Sequence, residues 1–344
     1  TPAAGRGRWE APLAGGGPGA GTEPGGPGAS SGRAAAGATA AAAAAAAAEA
    51  AARPFGEELR LPNGYGGFAR DGAEYVIRLS RRPDGGLRVP PQPWVNVIAN
   101  ETFGFLVSEA GAGCTWHRNS RLHRLTPWAN DPLRDPHGEA FWLRDDASGA
   151  CWSPLPGPLP GAGDYEMRHG LGASVCRHES AGVALETTLF AARREPVRCA
   201  AIRLTNRGPR PRRLTLYACA RLVLGGTPAE TAPHVVTAAG PAPGDLLARN
   251  PAAGEFADGV AFAAVVAPAT AGPPSATADR AAFIGADGTP DRPAAVLAGV
   301  ELDGRAGAGL EPCFAQRLPL TVAPGETVEA AFLLGETAGP AAEE

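Results

Sequence analysis

Three consecutive strands are encoded in residues 183–224, which read VALETTLFAARREPVRCAAIRLTNRGPRPRRLTLYACARLVL. Within residues 183–189 and again within 214–224, apolar side chains recur at every second position. This period of two predicts β-strands that bury one face. The stretch between them, 197–206, predicts a third strand, which ends at the turn sequence NRGP.

Similar patterns lie on both sides of this stretch. Residues 75–79 place Tyr, Ile and Leu on one face of a strand that ends at RPDGG, a strong turn sequence. Near the other end, residues 314–322 and 328–334 flank the sequence APGE at 323–326, where Pro followed by Gly fits a type II turn. These two runs therefore predict a β-hairpin.

Short strands separated by Gly and Pro turns continue from residue 55 to the end of the chain, and helix-length amphipathic patterns are almost absent. This pattern predicts an all-β fold, a large antiparallel β-sandwich. Residues 227–295 are rich in Pro, Ala and Gly, which predicts long loops around one clear strand at 259–267.

The first 54 residues differ in composition from the rest. They contain twelve Gly and a run of nine Ala at 40–48, with Trp9 and Leu13 as the only large apolar side chains. Such a segment has too little apolar surface to form a core, so we expect a disordered or partly helical linker. The predicted domain spans 55–338, and 339–344 are expected to begin a second linker.

Composition and charge exclude several classes of function. The 31 basic residues, all Arg, are outnumbered by 35 acidic ones, for a net charge of −4. A nucleic-acid partner is not expected, because binding to phosphates normally requires a basic excess. The six Cys form no C-x-x-C motif, which favours free thiols in a reducing compartment, and no run of 18 or more strongly apolar residues occurs, so we expect a soluble chain.

Five of the six Trp lie between Trp94 and Trp152, interspersed with Arg, Asn and Asp. Sugars present apolar C–H faces fringed by hydroxyls, so a sugar site combines aromatic rings with planar donors and acceptors. The alternative is a pair of Trp-rich core strands joined by solvated loops, and composition leaves both interpretations open. The candidate sugar-contacting residues are Trp116, Asn119, Arg121, Arg124, Trp128 and Asp131.

Two carboxylate pairs, Asp131 with Asp135 and Asp145 with Asp146, have the residue types of a glycosidase acid and nucleophile. Such pairs are more often turn residues, and Arg144 to Gly149 is interpreted as a structural hairpin turn. We therefore assign no catalytic residue.

Three histidines, His117, His123 and His137, occur in the same segment, but their spacing matches no standard metal site. Single hydrogen-bonded or exposed histidines are the favoured interpretation. We therefore predict no metal site and no cofactor.

Three stretches carry a family resemblance. They are NGYGGFARDGAEYVIRL at 63–79, YEMRHGLGASVCRHESAGVALETTLFA at 165–191, and the long segment VNVIANETFGFLVSEAGAGCTWHRNSRLHRLTPWANDPLRDPHGEAFWLRDDASGACWSP at 95–154. Together they resemble the N-terminal β-sandwich region of glycoside hydrolase family 94, formerly glycosyltransferase family 36. The similarity runs from about Leu61 to Leu334. Within the family it is strongest to the C-terminal phosphorylase-like part of cyclic β-1,2-glucan synthases.

The resemblance implies a β-supersandwich that precedes an (α/α)6 barrel in a larger enzyme. In the family, an Asp on the barrel protonates the glycosidic oxygen while phosphate attacks the anomeric carbon with inversion. The expected partners are therefore the chain's own barrel and, through it, a β-glucan oligosaccharide and phosphate. Cyclic β-1,2-glucan synthases are membrane proteins, which implies a parent in the inner membrane with this part on its cytoplasmic face.

Three hypotheses follow for this part of the enzyme. The first is a noncatalytic carbohydrate-binding scaffold of a β-glucan synthase or phosphorylase. The second is an independent carbohydrate-binding module, and the third is a homodimerisation platform.

Overall fold

The computed structural model of the chain describes residues 56–131, 133–267 and 271–338. The two linkers predicted at 1–54 and 339–344 lie outside these residues, so those boundaries stay predictions. The strands are β1 Gly66–Phe68, β2 Glu74–Leu79, β3 Val95–Ala99, β4 Phe103–Ser108, β5 Gly113–His117, β6 Glu139–Asp145, β7 Cys151–Trp152, β8 Tyr165–Gly170, β9 Ala173–Ser180, β10 Val183–Ala191, β11 Val197–Asn206, β12 Arg212–Arg221, β13 Val236–Ala239, β14 Leu246–Arg249, β15 Gly259–Val266, β16 Ser275–Asp279, β17 Pro312–Val322 and β18 Thr327–Ala338. The helices are α1 Pro228–Thr231, α2 Arg280–Ile284 and α3 Ala294–Ala298, with 3₁₀ turns at Ala232–His234 and Gly254–Phe256.

The strands form three antiparallel sheets. Ten strands make the largest, in the order β1-β2-β8-β9-β10-β11-β18-β15-β14-β13. The second has the order β16-β17-β12-β6-β7, and the third is β3-β4-β5. The helices are at most five residues long, so the prediction of an all-β sandwich is confirmed.

One apolar core joins the three sheets. It takes alternate side chains from β2 and β8 to β11 of the ten-stranded sheet, from β6, β12 and β17 of the five-stranded sheet, and from β4 of the three-stranded sheet. Ile202, Leu216 and Leu318 are fully buried in it. The period of two that the sequence shows at 183–224 therefore corresponds to the faces of β10, β11 and β12 that point into this core.

The hairpin predicted near the end of the sequence is present as β17 and β18. In the turn between them the amide of Glu326 donates to the carbonyl of Ala323 over 3.1 Å, and Gly325 has a φ of 74°. A positive φ at the third position of the turn is what a type II turn requires, and Gly adopts it without steric cost.

The region 227–295 has more regular structure than the sequence indicated. Besides β15 it contains β13, β14, β16 and short helices. The extra strands contribute small side chains such as Ala248 and Ala276 to a second core. Because Ala belongs to both polar and apolar surroundings, alternation of Ala gives no clear period, and these strands were not predicted.

Candidate functional site

The loop 118–138 contains most of the candidate residues and connects β5 of the three-stranded sheet to β6 of the five-stranded sheet. It is fixed at its middle. The amide of Leu125 donates to the carbonyl of Thr115 over 2.8 Å, and the amide of Val223, just after β12, donates to the carbonyl of Leu125 over 2.9 Å. Backbone hydrogen bonds therefore divide this part of the chain into two arms: the first, counted from Trp116 at the end of β5, runs to Arg124, and the second runs from Thr126 to Gly138.

The first arm contains Trp116 and Arg124, whose backbones form an isolated β-bridge. Trp116 is half-buried with its ring over Gly104, where an added Cβ would lie 2.5 Å from the indole. The Arg124 guanidinium donates to the carbonyls of Ser120, over 2.9 Å, and Gly226, over 3.3 Å. In this structure both side chains anchor the loop to its surroundings.

Asn119 and Arg121 lie at the tip of the same arm. The side-chain oxygen of Asn119 accepts from the amides of Arg121 and Leu122, both over 2.9 Å, which forms a tight turn. The Arg121 side chain is exposed. Of the four candidates in this arm, Arg121 is the one whose side chain is most open to a ligand.

The second arm contains Trp128, which is half-buried, and Asp131. A carboxylate oxygen of Asp131 accepts from the amides of Leu133, over 2.9 Å, and Arg134, over 3.1 Å. These two hydrogen bonds lower the pKa of Asp131, so its carboxylate stays charged and shapes the turn.

A cleft of about 390 Å³ opens beside the second arm. It lies between this arm, the outer faces of β6 and β12, and the segment that includes α2. The described residues that line it are Pro127, Ala129, Arg134, Asp135, Pro136, His137, Gly138, Ala140, Trp142, Pro158, Cys219, Arg221, Arg280, Ile284, Pro290 and Asp291. None of the six candidates from the sequence is among them, although Trp128 lies in the chain between two lining residues, Pro127 and Ala129.

Two contacts fix the walls of the cleft. The indole N–H of Trp142 on β6 donates to the carbonyl of Pro290 over 3.0 Å, which connects the sheet to the segment after α2. At the rim, Arg280 and Arg221 approach the same carboxylate, that of Glu311, with shortest N···O distances of 3.1 and 3.6 Å. Both guanidinium groups are thus held in place at the mouth of the cleft.

Burial alters the charges of two groups that line the cleft. The Ser108 hydroxyl donates to Asp135, but burial outweighs this bond and the nearby His137, and the pKa of Asp135 is raised. Burial also lowers the pKa of His137, whose Nε2 lies 3.3 Å from the carbonyl of Ala110. Both shifts favour the neutral forms, so this wall is less charged than its residue types suggest.

The cleft combines the groups that a sugar requires. Several Pro rings offer apolar contact, while Arg, Asp and His side chains offer planar donors and acceptors; the indole of Trp142 also borders the cleft but is 1% exposed. Sugar hydroxyls pair with such groups, and the C–H faces of a sugar pack on rings and prolines. In chemical terms the arrangement is suited to binding a carbohydrate.

A second cluster lies at the first arm, where His117 and His123 meet Glu336 of β18. The Nδ1 of His117 lies 2.5 Å from one carboxylate oxygen, and the Nε2 of His123 lies 2.8 and 2.9 Å from the two oxygens. Burial alone would raise the pKa of Glu336, but the hydrogen bonds from the two imidazoles outweigh burial and lower it. His137 belongs to the cleft and is not part of this cluster.

The carboxylates of the second pair from the sequence analysis, Asp145 and Asp146, serve in a turn and in ion pairs. The side chain of Asp145 accepts from the amides of Ala147, over 2.9 Å, and Ser148, over 3.1 Å, in the turn between β6 and β7. It also forms an ion pair with Arg212. The turn predicted at 144–149 is therefore structural.

Sequence reasoning missed Glu336 and the cleft walls from 280 to 291. Pro290 is 148 positions from Trp142, and Glu336 is 213 positions from His123, so only the sheet order brings them together. The sequence contained one signal for the cleft, because Trp142 lies inside the Trp-rich segment between Trp94 and Trp152.

Across the described residues, no helix combines the length and the apolar character that crossing a membrane requires.

The model of one protein family matches most of the chain. Residues 73–344 match "Glycosyl hydrolase 94, supersandwich domain".

Known proteins that resemble the chain agree with this match. The chain is 36% identical over 286 residues to the cyclic β-(1,2)-glucan synthase NdvB of Rhizobium meliloti (strain 1021), with 83% of this chain and 10% of the synthase covered. It is 31% identical over 157 residues to the N,N'-diacetylchitobiose phosphorylase of Vibrio furnissii, with 44% of this chain and 18% of the phosphorylase covered. The chain thus spans a fifth or less of the length of these two relatives.

Solved structures resemble it more distantly. A galactose mutarotase-like protein from Lactobacillus casei ATCC 334 has 9% identity and a TM-score of 0.36, with 71% of this chain and all of that one covered. That likeness adds nothing to the assignment. The family match and the sequence relatives are sufficient by themselves: the chain belongs to glycoside hydrolase family 94, and residues 73–344 match its supersandwich domain.

Proposed function

We propose that this chain is the noncatalytic, carbohydrate-binding scaffold of an enzyme that acts on β-linked glucans. In this proposal the acid that cleaves or forms the glycosidic bond belongs to an (α/α)6 catalytic domain outside these residues. The glucan and phosphate meet that domain, and the supersandwich holds part of the sugar chain. The parent enzyme would be held at the cytoplasmic face of the inner membrane.

The observation that carries the proposal is the cleft beside β6. It is about 390 Å³ in volume and is lined by prolines and fixed guanidinium groups, with the buried indole of Trp142 also at its border. Arg221 and Arg280 stand at its rim and share Glu311. A volume of this order accommodates one or two sugar rings, because ligand pockets for small molecules begin at roughly 300 Å³.

The names of the relatives favour β-1,2-glucan over other sugars. The relative that matches 83% of this chain is named a cyclic β-(1,2)-glucan synthase, whereas the phosphorylases named for other disaccharides match less than half of it. A β-1,2-linked oligosaccharide is therefore the first ligand to test.

The test is a calorimetric titration of the purified chain with a linear β-1,2-glucan oligosaccharide. We expect a dissociation constant of about 1 mM, which corresponds to roughly −4 kcal/mol, because an open cleft buries only part of the sugar. An α-1,4-linked oligosaccharide of equal length is the matched control and should bind at least about tenfold more weakly. Equal affinity for both, or no heat with either, would refute carbohydrate selectivity.

A turnover assay tests the noncatalytic part of the proposal. The same chain is incubated with the oligosaccharide and inorganic phosphate, and the release of sugar phosphate is measured. We expect none, because an inverting reaction requires an acid and a positioned nucleophile on opposite sides of one bond. Phosphate-dependent release by this chain alone would show that it contains the catalytic groups.

A second candidate function, a homodimerisation platform, is favoured by one feature of the three-stranded sheet. Its edge strand β3 exposes Val95 and Val97 to 45% and 59%. An edge strand with exposed apolar side chains is a site where a second copy can pair by strand addition across a two-fold axis. The test is light scattering of the purified chain at about 100 µM. A monomer mass at this concentration would exclude the dimerisation function.

A further inference from the structure

Glu336 differs from most of the other buried carboxylates in what neutralises it. In the described residues, the buried carboxylates of Glu139, Glu166, Asp145 and Asp279 each pair with an arginine, and that of Glu109 accepts from the amide of Trp94. Glu336, which is 2% exposed, instead faces two imidazoles. Because an imidazole is not a fixed cation, the charge of Glu336 is balanced either by a proton on an imidazole or by a cation that the imidazoles bind.

The backbone holds the two histidines in place. His117 ends β5, and its amide donates to the carbonyl of His123 over 3.2 Å, which closes the loop between them. Glu336 reaches this loop from β18, beside Gly259 of the neighbouring strand β15. A Cβ at Gly259 would lie 2.3 Å from a carboxylate oxygen of Glu336, so the glycine leaves the space that the carboxylate occupies.

Two imidazole nitrogens and a carboxylate oxygen are a ligand set that zinc binds in proteins. The three ligand atoms lie within 4.8 Å of one another. A tetrahedral zinc ion would hold them about 3.4 Å apart, so the present hydrogen-bonded N···O separations need to widen by less than about 1 Å, and any separation near the upper limit needs to shorten by roughly 1.4 Å. His117 is at a strand end and 15% exposed, which gives it room for this movement and gives water access to the fourth position.

The surroundings of His123 limit the affinity. Its ring stacks on Phe256 with centroids 4.5 Å apart, and its Nδ1 is buried without a hydrogen-bond partner. Most metal-bound histidines donate this second N–H to an acceptor, and loss of such a partner weakens metal affinity about 10- to 100-fold. The stacking fixes the ring direction, but we expect binding weaker than in structural zinc sites.

We propose that His117, His123 and Glu336 bind a divalent transition metal of the zinc type, with water as the fourth ligand on the side of His117. The metal would connect the first arm, at His117 and His123, to strand β18 of the ten-stranded sheet, at Glu336. It would thereby order the turn that contains Asn119 and Arg121. This site is separate from the cleft, and its binding does not depend on the proposed carbohydrate function.

The experiment uses the purified chain after treatment with EDTA and dialysis. Titration with Zn²⁺ should give one equivalent with a dissociation constant of about 1 µM, and Co²⁺ should give the visible absorption of a tetrahedral ion. At a hundredfold excess over that constant, we expect the melting temperature to rise by about 5 °C. No binding of either ion by the folded chain at about 100 µM would overturn the proposal.

Variants identify the ligands. His117→Ala and His123→Asn should each weaken Zn²⁺ binding about 100-fold or more, whereas His234→Ala, at an exposed histidine outside the cluster, should leave binding unchanged. Cys151→Ser is a further control, because zinc also binds thiolates and Cys151 is the half-buried cysteine. Circular dichroism of the metal-free proteins establishes that each variant folds. Stoichiometric binding that survives both cluster variants would contradict the assignment.

Discussion

The two faces of strand β6 differ in what they contact. Phe141 and Leu143 point into the core between the sheets, as does Glu139, whereas the alternate residues Ala140 and Trp142 belong to a smaller cluster beside α2 and line the cleft. The core face borders a small cavity of about 30 Å³. The other face borders the cleft of about 390 Å³ with side chains that are themselves buried, so one strand contributes both to the fold and to the wall of the candidate site.

The polar groups on the two faces differ accordingly. On the core face Glu139 accepts hydrogen bonds from the hydroxyls of Thr115 and Thr126 and forms an ion pair with Arg198, which lies over the ring of Phe105. On the cleft face the guanidinium groups are partly exposed. Changes on the core face should therefore alter stability, and changes on the cleft face should alter binding.

The largest effect is expected for Arg198→Met. This change leaves the buried carboxylate of Glu139 without a cation, which costs about 3–5 kcal/mol of unfolding free energy. The double variant Arg198→Met with Glu139→Gln removes both charges and keeps the two hydroxyl contacts, so it should recover most of that loss. Urea denaturation monitored by circular dichroism measures both; a double variant no more stable than the single one would contradict this assignment.

The second effect concerns pH and a histidine in the same core. His178 is buried and stacks on Tyr165 at 3.7 Å, and burial lowers its pKa to about 4. Its unfolded pKa is about 6.5, so its contribution to stability is complete above pH 6.5 and is lost as the pH falls towards 4, by up to about 3 kcal/mol. This loss should be absent in His178→Gln.

The measurement for His178 is the difference in unfolding free energy between the native chain and His178→Gln at several pH values. Taking the difference removes the contribution of Glu109, whose pKa burial raises to about 7 and whose effect has the opposite sign. The difference should shrink as the pH falls from 7 to 4. A difference independent of pH would show that His178 is not neutral in the folded core.

A smaller effect is expected for Trp142→Phe on the cleft face. The change removes the hydrogen bond to Pro290 and leaves a small space, at a cost of about 1–2 kcal/mol. Trp116→Phe is the matched control, because that ring is half-buried over Gly104 and should lose less. Urea midpoints compare the two variants, and a greater loss of stability for Trp116→Phe than for Trp142→Phe would contradict this expectation.

Much of the fold could be predicted from alternation alone. The strands β10, β11 and β12 and the last hairpin have large apolar residues on one face, so their period is visible in the sequence. The strands β13, β14 and β16 use Ala at buried positions such as Ala248 and Ala276, where the small side chain gives no periodic signal. Packing of neighbouring strands, which the sequence does not display, determines that these segments are strands.

The candidate site was predicted only in part. The Trp-rich segment does border the cleft, but Trp116, Asn119 and Arg124 are used to hold the loop, and the cleft walls come from distant segments near Arg280 and Pro290. The meeting of His117 with Glu336 also depends on sheet order. Residue types and spacing indicated a segment that borders the cleft, while the identity of the other cleft walls required the three-dimensional arrangement.

One titration tests the central claim that the cleft face of β6 is the carbohydrate site. The native chain, Arg280→Ala at the cleft rim and Arg121→Ala at the exposed tip of the first arm are titrated in parallel with the β-1,2-glucan oligosaccharide. We expect Arg280→Ala to weaken binding about tenfold, through loss of one charged donor, and Arg121→Ala to change it less than about twofold. Weakening by Arg121→Ala alone would place the sugar on the loop and contradict the claim.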